Sequence, residues 1–203
     1  RHDPKTRAVG ITMRGDPTDM QTEAPQNPTP PPAGQVRIAV RAAGVNFADH
    51  LARVGLYPDA PKPPCVVGYE ISGTIEAVGD GVDPARVGDR VFGGTRFGGY
   101  AEIVNVPAAD AIPLPDSMSF EQGAAIPVNY STAWAALHGY GSLRAGERVL
   151  IHAAAGGVGI AAIRAPGSGA SRTSAGARAN GSGAHIAKPC VASCACSRLV
   201  MWR

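Results

Sequence analysis

The sequence predicts a mostly β chain with some α: a small barrel or sandwich of short strands, one strand–turn–helix unit, and then an unstructured tail. Three observations carry that reading. Val- and Ile-rich stretches recur from Val66 to Leu114, punctuated by Gly, Pro and Asp at the spacing of an all-β domain. An apolar stretch, Val149 to Ile151, runs directly into the glycine-rich AAAGGVG. Beyond Ile163 the chain turns to Ala, Gly, Ser and Arg, and its last 40 residues hold no acidic side chain.

Residues 6–13, TRAVGITM, read as an opening strand. Residues 16–34 are rich in Pro and polar residues and read mostly as loop, with Pro30 to Pro32 enforcing extended backbone. Residues 35–45 alternate, Val36, Ile38 and Val40 on one face against Arg37 and Arg41 on the other, as a half-buried strand does. Phe47, Leu51 and Val54 then follow helical spacing over 46–55 and stop at Gly55. YPDAPKPPC (57–65) cannot be regular, because each proline removes a donor and restricts its predecessor. Four strand-like stretches follow: VVGYEISGTIEAVGDGV, VGDRVFG, GGYAEIVNV and AIPLP. Ser119 and Gln122 have the spacing of a capping box. Residues 128–143 read as an apolar helix, and RAGERVLIHAAAGGVG as a turn, a buried strand and a glycine loop, with His152 packed on that strand.

At 203 residues the chain has room for one generous domain or one and a half. Its net charge of +3 hides a split, −3 over residues 1–163 and +6 over the remainder. The basic residues of the tail are scattered and its one aromatic is Trp202, so nucleic-acid binding is not expected. Cys190, Cys194 and Cys196 lack the second pair that a structural zinc site uses, so no metal is expected there. The opening RHDPKTRAVG is charged and no apolar run approaches the roughly 18 residues of a membrane span. The expectation is a cytoplasmic protein.

The glycine loop carries the chemistry. Ala154, Gly156 and Gly159 stand at the positions of a G-x-G-x-x-G fingerprint. Small residues there allow the tight turn, the approach of a pyrophosphate to backbone N–H groups, and close helix–strand packing. The apolar strand before it and GIAAI after it supply the required context.

Several stretches together resemble the zinc-independent medium-chain dehydrogenase/reductases of the quinone oxidoreductase (zeta-crystallin) group, with the nearest echo in the vesicle amine transport protein homologues. They are RAAGVNFADHLARVGLYPDAPKPPCVVGYEISGTIEAVGDGV, VGDRVFG, GGYAE, FEQGAAIPVNYSTAWAAL and GERVLIHAAAGGVG. The resemblance covers residues 6–163. It implies a GroES-like β-barrel (the alcohol dehydrogenase N-terminal domain) over 6–127, the start of a Rossmann domain over 128–165, and NADPH in the cleft between them. Where the zinc-dependent branch has metal ligands, this chain has Asn46, Tyr69 and a position near Val128, so the resemblance implies no catalytic zinc.

The implied activity is hydride transfer from NADPH to a quinone or an α,β-unsaturated carbonyl. The resemblance places Asn46, Asn129 and Thr132 near the nicotinamide and lets Tyr57 donate to the substrate oxygen. It makes Ala154, Gly156, Gly157, Val158 and Gly159 the other cofactor contacts. Each polar residue has a second reading: Asn46 caps the following helix, Tyr57 lids the cleft, and Thr132 bonds back within its own helix. Asp49, Arg53 and Glu70 read as pairing or capping groups. A small-molecule substrate and a homodimer are the implied partners. A non-catalytic vesicle-protein-like binder and a polyketide synthase enoyl-reductase module are the alternatives.

The resemblance stops at Arg164, where the quinone oxidoreductase signature expects Gln. Residues 166–203 hold four β-branched side chains, none adjacent to another, and are expected to add no strand. An out-of-frame stretch, or a natural variant with a disordered tail, is the reading for this segment. With it, the chain is expected to be inactive.

Overall fold

A computed structural model describes residues 6–15, 20–26, 30–144, 147–165 and the backbone of three short strands beyond them. The chain divides into two units, at Val128/Asn129.

In the N-terminal unit, β1 (Thr6–Ile11), β2 (Met20–Gln26) and β4 (Cys65–Val66) form one sheet in the order β2-β1-β4. The other sheet has β3 (Gln35–Ala43), β5 (Glu70–Val78), β6 (Arg90–Gly94), β7 (Ile103–Pro107) and β8 (Ile112–Pro113), in the order β7-β3-β5-β6-β8. All these pairings are antiparallel. The expected barrel does not close among the described residues; an isolated bridge between Ala8 and Ala101 links the sheets.

The alternation read in residues 35–45 has its expected consequence. Val36 and Ile38 on β3 are fully buried and pack with Ile71, Ile75, Val91 and Val106. β5 is the central strand, and α2 (Phe120–Ala124) covers it. Ser72 on β5 donates its hydroxyl to the Phe120 carbonyl. The Ser119 capping box forms in both directions, with Ser119 N–H on Gln122 Oε1 at 2.9 Å and Gln122 N–H on Ser119 Oγ at 3.2 Å. Helix α1 (Phe47–Val54) ends at Gly55, whose φ of 79° is the left-handed cap that glycine adopts without strain.

β2 corrects the expectation of a loop over 16–34. MQTEAPQ has neither apolar alternation nor β-branched density, and it becomes a strand by pairing with β1.

The C-terminal unit centres on β9 (Arg148–Ile151), with α4 (Gly157–Arg164) after the glycine loop. The apolar helix expected over 128–143 is α3 (Pro127–Trp134), continuing as a π turn over Ala135–Tyr140. Ala133, Ala136 and Leu137 pack with Ala161 and Ala162 over Val149 and Ile151. Val149 and Ile151 of β9 are therefore buried within this unit, at 4% and 3% exposure, as the buried strand read there requires.

The tail expectation falls mostly outside the described residues. Within them, β10 (Thr173–Ser174) runs parallel to β9, and β12 (Leu199–Trp202) runs antiparallel to it and pairs with β11 (Lys188–Cys190). This differs from an expectation of no strands. LVMW is the longest apolar run in that segment, and an unpaired edge of β9 offers backbone groups that need partners.

Because Ile38 is fully enclosed by other branched side chains, Ile38→Ala is expected to lower the unfolding free energy by about 2–5 kcal/mol in urea titrations. A loss well under about 1 kcal/mol would contradict the assigned core.

Candidate functional site

Asn46 and Tyr57 belong to the N-terminal unit; Asn129, Thr132 and the glycine loop belong to the other. Each group is therefore built up by itself.

Asn46 stands at the N-cap of α1, and it is held at both ends. Its backbone N–H donates to Asp49 Oδ2 at 2.8 Å, and its side-chain Nδ2 donates to Glu70 Oε1 at 2.8 Å. The second oxygen of Glu70 accepts from the Val128 N–H at 2.8 Å. Asp49 in turn accepts from the Gly68 N–H at 3.0 Å and from the Tyr100 hydroxyl at 2.8 Å. Both carboxylates are buried, Glu70 at 1% exposure and Asp49 at 6%. Burial pushes both pKa values above the ordinary carboxylate range, and the hydrogen bonds pull each partly back. The Tyr100 phenol is pushed up by burial and by its bond to Asp49. Gly44 belongs to the same assembly: a Cβ there would collide with the Glu70 carboxyl, so the close packing of Glu70 requires glycine. The pairing expected of Asp49 and Glu70 thus takes a specific form, a carboxylate on each side of Asn46.

Tyr57 is half-buried and meets Tyr69 edge to face, with centroids 5.8 Å apart at 71°. Tyr69 in turn packs against Phe97 at 5.2 Å. Tyr69 and Phe97 were not singled out by the sequence as substrate contacts; the available signal was a large phenol at Tyr69, a position where a metal ligand stands in zinc-dependent proteins. A groove of about 630 Å³ in the same unit is lined by Val9, Met20, Val40, Val45 and Tyr100 among others, and none of Asn46, Tyr57, Tyr69 or Phe97 lines it. Among the described residues no group of three or more His, Cys, Asp or Glu side chains is placed to hold a metal ion.

In the C-terminal unit, Ala153 adopts φ 53° to turn the chain out of β9, and Gly156 caps α4 in extended conformation. His152 lies in that turn and is exposed, which corrects its expected packing on the strand: β9 ends one residue earlier. The first helical bond runs from the Ile160 N–H to the Gly156 carbonyl at 2.8 Å, so the N–H groups of Gly157, Val158 and Gly159 lie in the first turn, where a helix has no internal acceptor for them. A Cβ on Gly159 would come within 2.6 Å of the Ala153 carbonyl oxygen and 2.7 Å of Ala154 Cα. A Cβ on Gly157 would run into the side-chain amide of Asn129. The loop is therefore a cradle that side chains would fill, and Asn129 sits against its helical end. Thr132 is half-buried on the same helix, three residues on from Asn129 and so on the same side.

The chain is similar to several known proteins. Residues 32–116 match the alcohol dehydrogenase GroES-like domain. The synaptic vesicle membrane protein VAT-1 homolog of Rattus norvegicus is 44% identical over 163 residues, covering 79% of this chain and 40% of that protein. The quinone oxidoreductase of Pseudomonas syringae superposes with a TM-score of 0.68 at 38% identity, over 77% of this chain and 48% of that one. A mycobacterial protein solved with NADPH also superposes with a TM-score of 0.68, at 37% identity over 77% of this chain and 48% of that one. The chain spans 40% of the VAT-1 homolog's length and about half of each solved relative. No helix among the described residues is long and apolar enough to cross a membrane. Residues 32–116 thus match the alcohol dehydrogenase GroES-like domain, in a chain that is similar over 77% of its length to a quinone oxidoreductase.

Proposed function

We propose that this chain carries the carbonyl-binding and phosphate-binding parts of an oxidoreductase that passes hydride from NADPH to a quinone or an α,β-unsaturated carbonyl. The observation that carries the reading is the glycine cradle. Three consecutive first-turn N–H groups, at Gly157, Val158 and Gly159, suit a pyrophosphate at the positive end of α4. Asn129, Thr132 and Ala154 are the residues beside that loop assigned to the cofactor. When bound, NADPH supplies the hydride. The protein's part is to orient the acceptor and hydrogen-bond the oxygen on which negative charge develops.

Asn46 and Tyr57 are assigned that part in the N-terminal unit, and Asn46 is also assigned to the cofactor. Their donor set is amide and phenol, groups that stabilise an oxyanion by hydrogen bonding. A non-catalytic binding role is the second reading, favoured by the 44% identity to the VAT-1 homolog. Reduction of an enone at the expense of NADPH by a full-length, in-frame protein separates the two.

The loop contributes phosphate contacts chiefly, so NADPH titrated into this chain and followed by its fluorescence is expected to saturate with an affinity weaker than micromolar. Gly157→Ala, which displaces Asn129 and fills the cradle, is expected to weaken binding by about tenfold, equivalent to about 1.4 kcal/mol, with thermal unfolding confirming that the variant is folded. Equal affinity in the wild type and the variant would contradict the site. Micromolar or tighter binding would contradict the limited contribution assigned to the loop.

A further inference from the structure

We propose that Tyr69 is a second hydrogen-bond donor to the substrate, and that Tyr69 and Tyr57 together cradle the oxygen of a flat, ring-shaped carbonyl compound such as a quinone or a cyclic enone. The inference rests on the reading of the N-terminal unit as the carbonyl-binding part.

The Tyr69 hydroxyl is buried, and it makes no hydrogen bond of ordinary geometry among the described residues. Burying a hydroxyl without a partner costs about 1–3 kcal/mol, so such a group calls for an explanation other than stability. Its surroundings keep it from turning elsewhere. The backbone is fixed by the bond from the Thr95 N–H to the Tyr69 carbonyl at 2.7 Å, and the ring is packed by Tyr57 on one side and Phe97 on another. Held in this way, the phenol is preorganised rather than misplaced.

Its protonation also suits a donor. Burial, with the nearby Tyr57 phenol and the Asp49 and Asp59 carboxylates, pushes the Tyr69 pKa up, so the O–H stays in place across the neutral range. The Tyr57 and Tyr69 rings meet edge to face, with centroids 5.8 Å apart. An acceptor oxygen with two lone pairs can accept from both. The rings of Tyr57, Tyr69 and Phe97 cluster at edge-to-face and tilted angles, an aromatic environment that favours a planar ring acceptor over a flexible aliphatic carbonyl. Both phenols donate hydrogen bonds and neither gives up its proton.

The test uses duroquinone, a tetramethylated quinone with no open ring carbon for thiols such as Cys65 to attack, titrated calorimetrically into the chain without NADPH. The wild type is expected to bind saturably. Y69F and Y57F are each expected to weaken binding by about five- to tenfold. Y69F is also expected to keep or raise the thermal midpoint, because it removes a buried hydroxyl whose contact with Tyr57 falls short of ordinary hydrogen-bond geometry. Unchanged affinity in Y69F would overturn the proposal. So would a midpoint lowered by several degrees, since the hydroxyl would then be serving the fold, and so would the absence of saturable binding to the wild type. Weakened binding in Y69F together with NADPH affinity that Gly157→Ala leaves unchanged would support the aromatic site and count against the phosphate-binding reading alone.

Discussion

Two buried carboxylates that face no cation, Asp49 and Glu70, are the constraint around which the N-terminal unit is arranged. Neither enters a salt bridge among the described residues. Their charge is met instead by neutral donors: three for Asp49, from Asn46, Gly68 and Tyr100, and two for Glu70, from Asn46 and Val128. Buried charge is expensive, and losing any donor would leave it unmet. The surrounding backbone is therefore held to one geometry. The start of α1, the turn at Gly68 (φ 106°) and the packing of Gly44 all follow from it. Asn46, which donates to both acids, is the most tightly determined polar residue of the group.

The same logic gives the unit its chemical character. Asn46 takes its orientation from Glu70, while Tyr57 and Tyr69 take theirs from one another and from Phe97. The result is a set of polar side chains held by an antiparallel scaffold, to which the proposed function assigns the oxygen that gains charge. In the function proposed, the glycine cradle of the C-terminal unit meets a different requirement, the approach of backbone N–H groups to phosphate. It relies on the absence of side chains at Gly157 and Gly159 rather than on their chemistry.

The features legible in the sequence are those set by neighbours along the chain. The alternation of Val36 and Ile38, the Ser119–Gln122 box and the stop at Gly55 each depend on residues within a few positions, and each could be read directly. The glycine loop is local in the same sense. β2 was not legible, because it draws its structure from β1 and not from its own pattern, and the short strands beside β9 depend on pairing in the same way. The π turn after α3 carried no signal in an otherwise helical apolar stretch. Resemblance singles out Asn46 and Tyr57, but what holds them was not legible in the sequence. Glu70 lies 24 positions from Asn46, and Tyr100 lies 51 from Asp49, distances over which only the folded sheet brings side chains together. Gly44 was the one available hint, a glycine two residues ahead of Asn46 whose space Glu70 occupies.

The most direct measurement of this account follows the side-chain amide protons of Asn46 by nuclear magnetic resonance. If Glu70 fixes the amide, the Asn46 Nδ2 protons resonate away from ordinary asparagine positions and exchange with solvent at least about tenfold more slowly than those of an unstructured asparagine. In Glu70→Gln, whose neutral amide is a weaker acceptor, both signatures should relax toward ordinary values while the backbone resonances of the five-stranded sheet persist. An Asn46 pair that already looks ordinary in the wild type, or one that Glu70→Gln leaves unmoved in a folded protein, would contradict the central place given to the buried carboxylates.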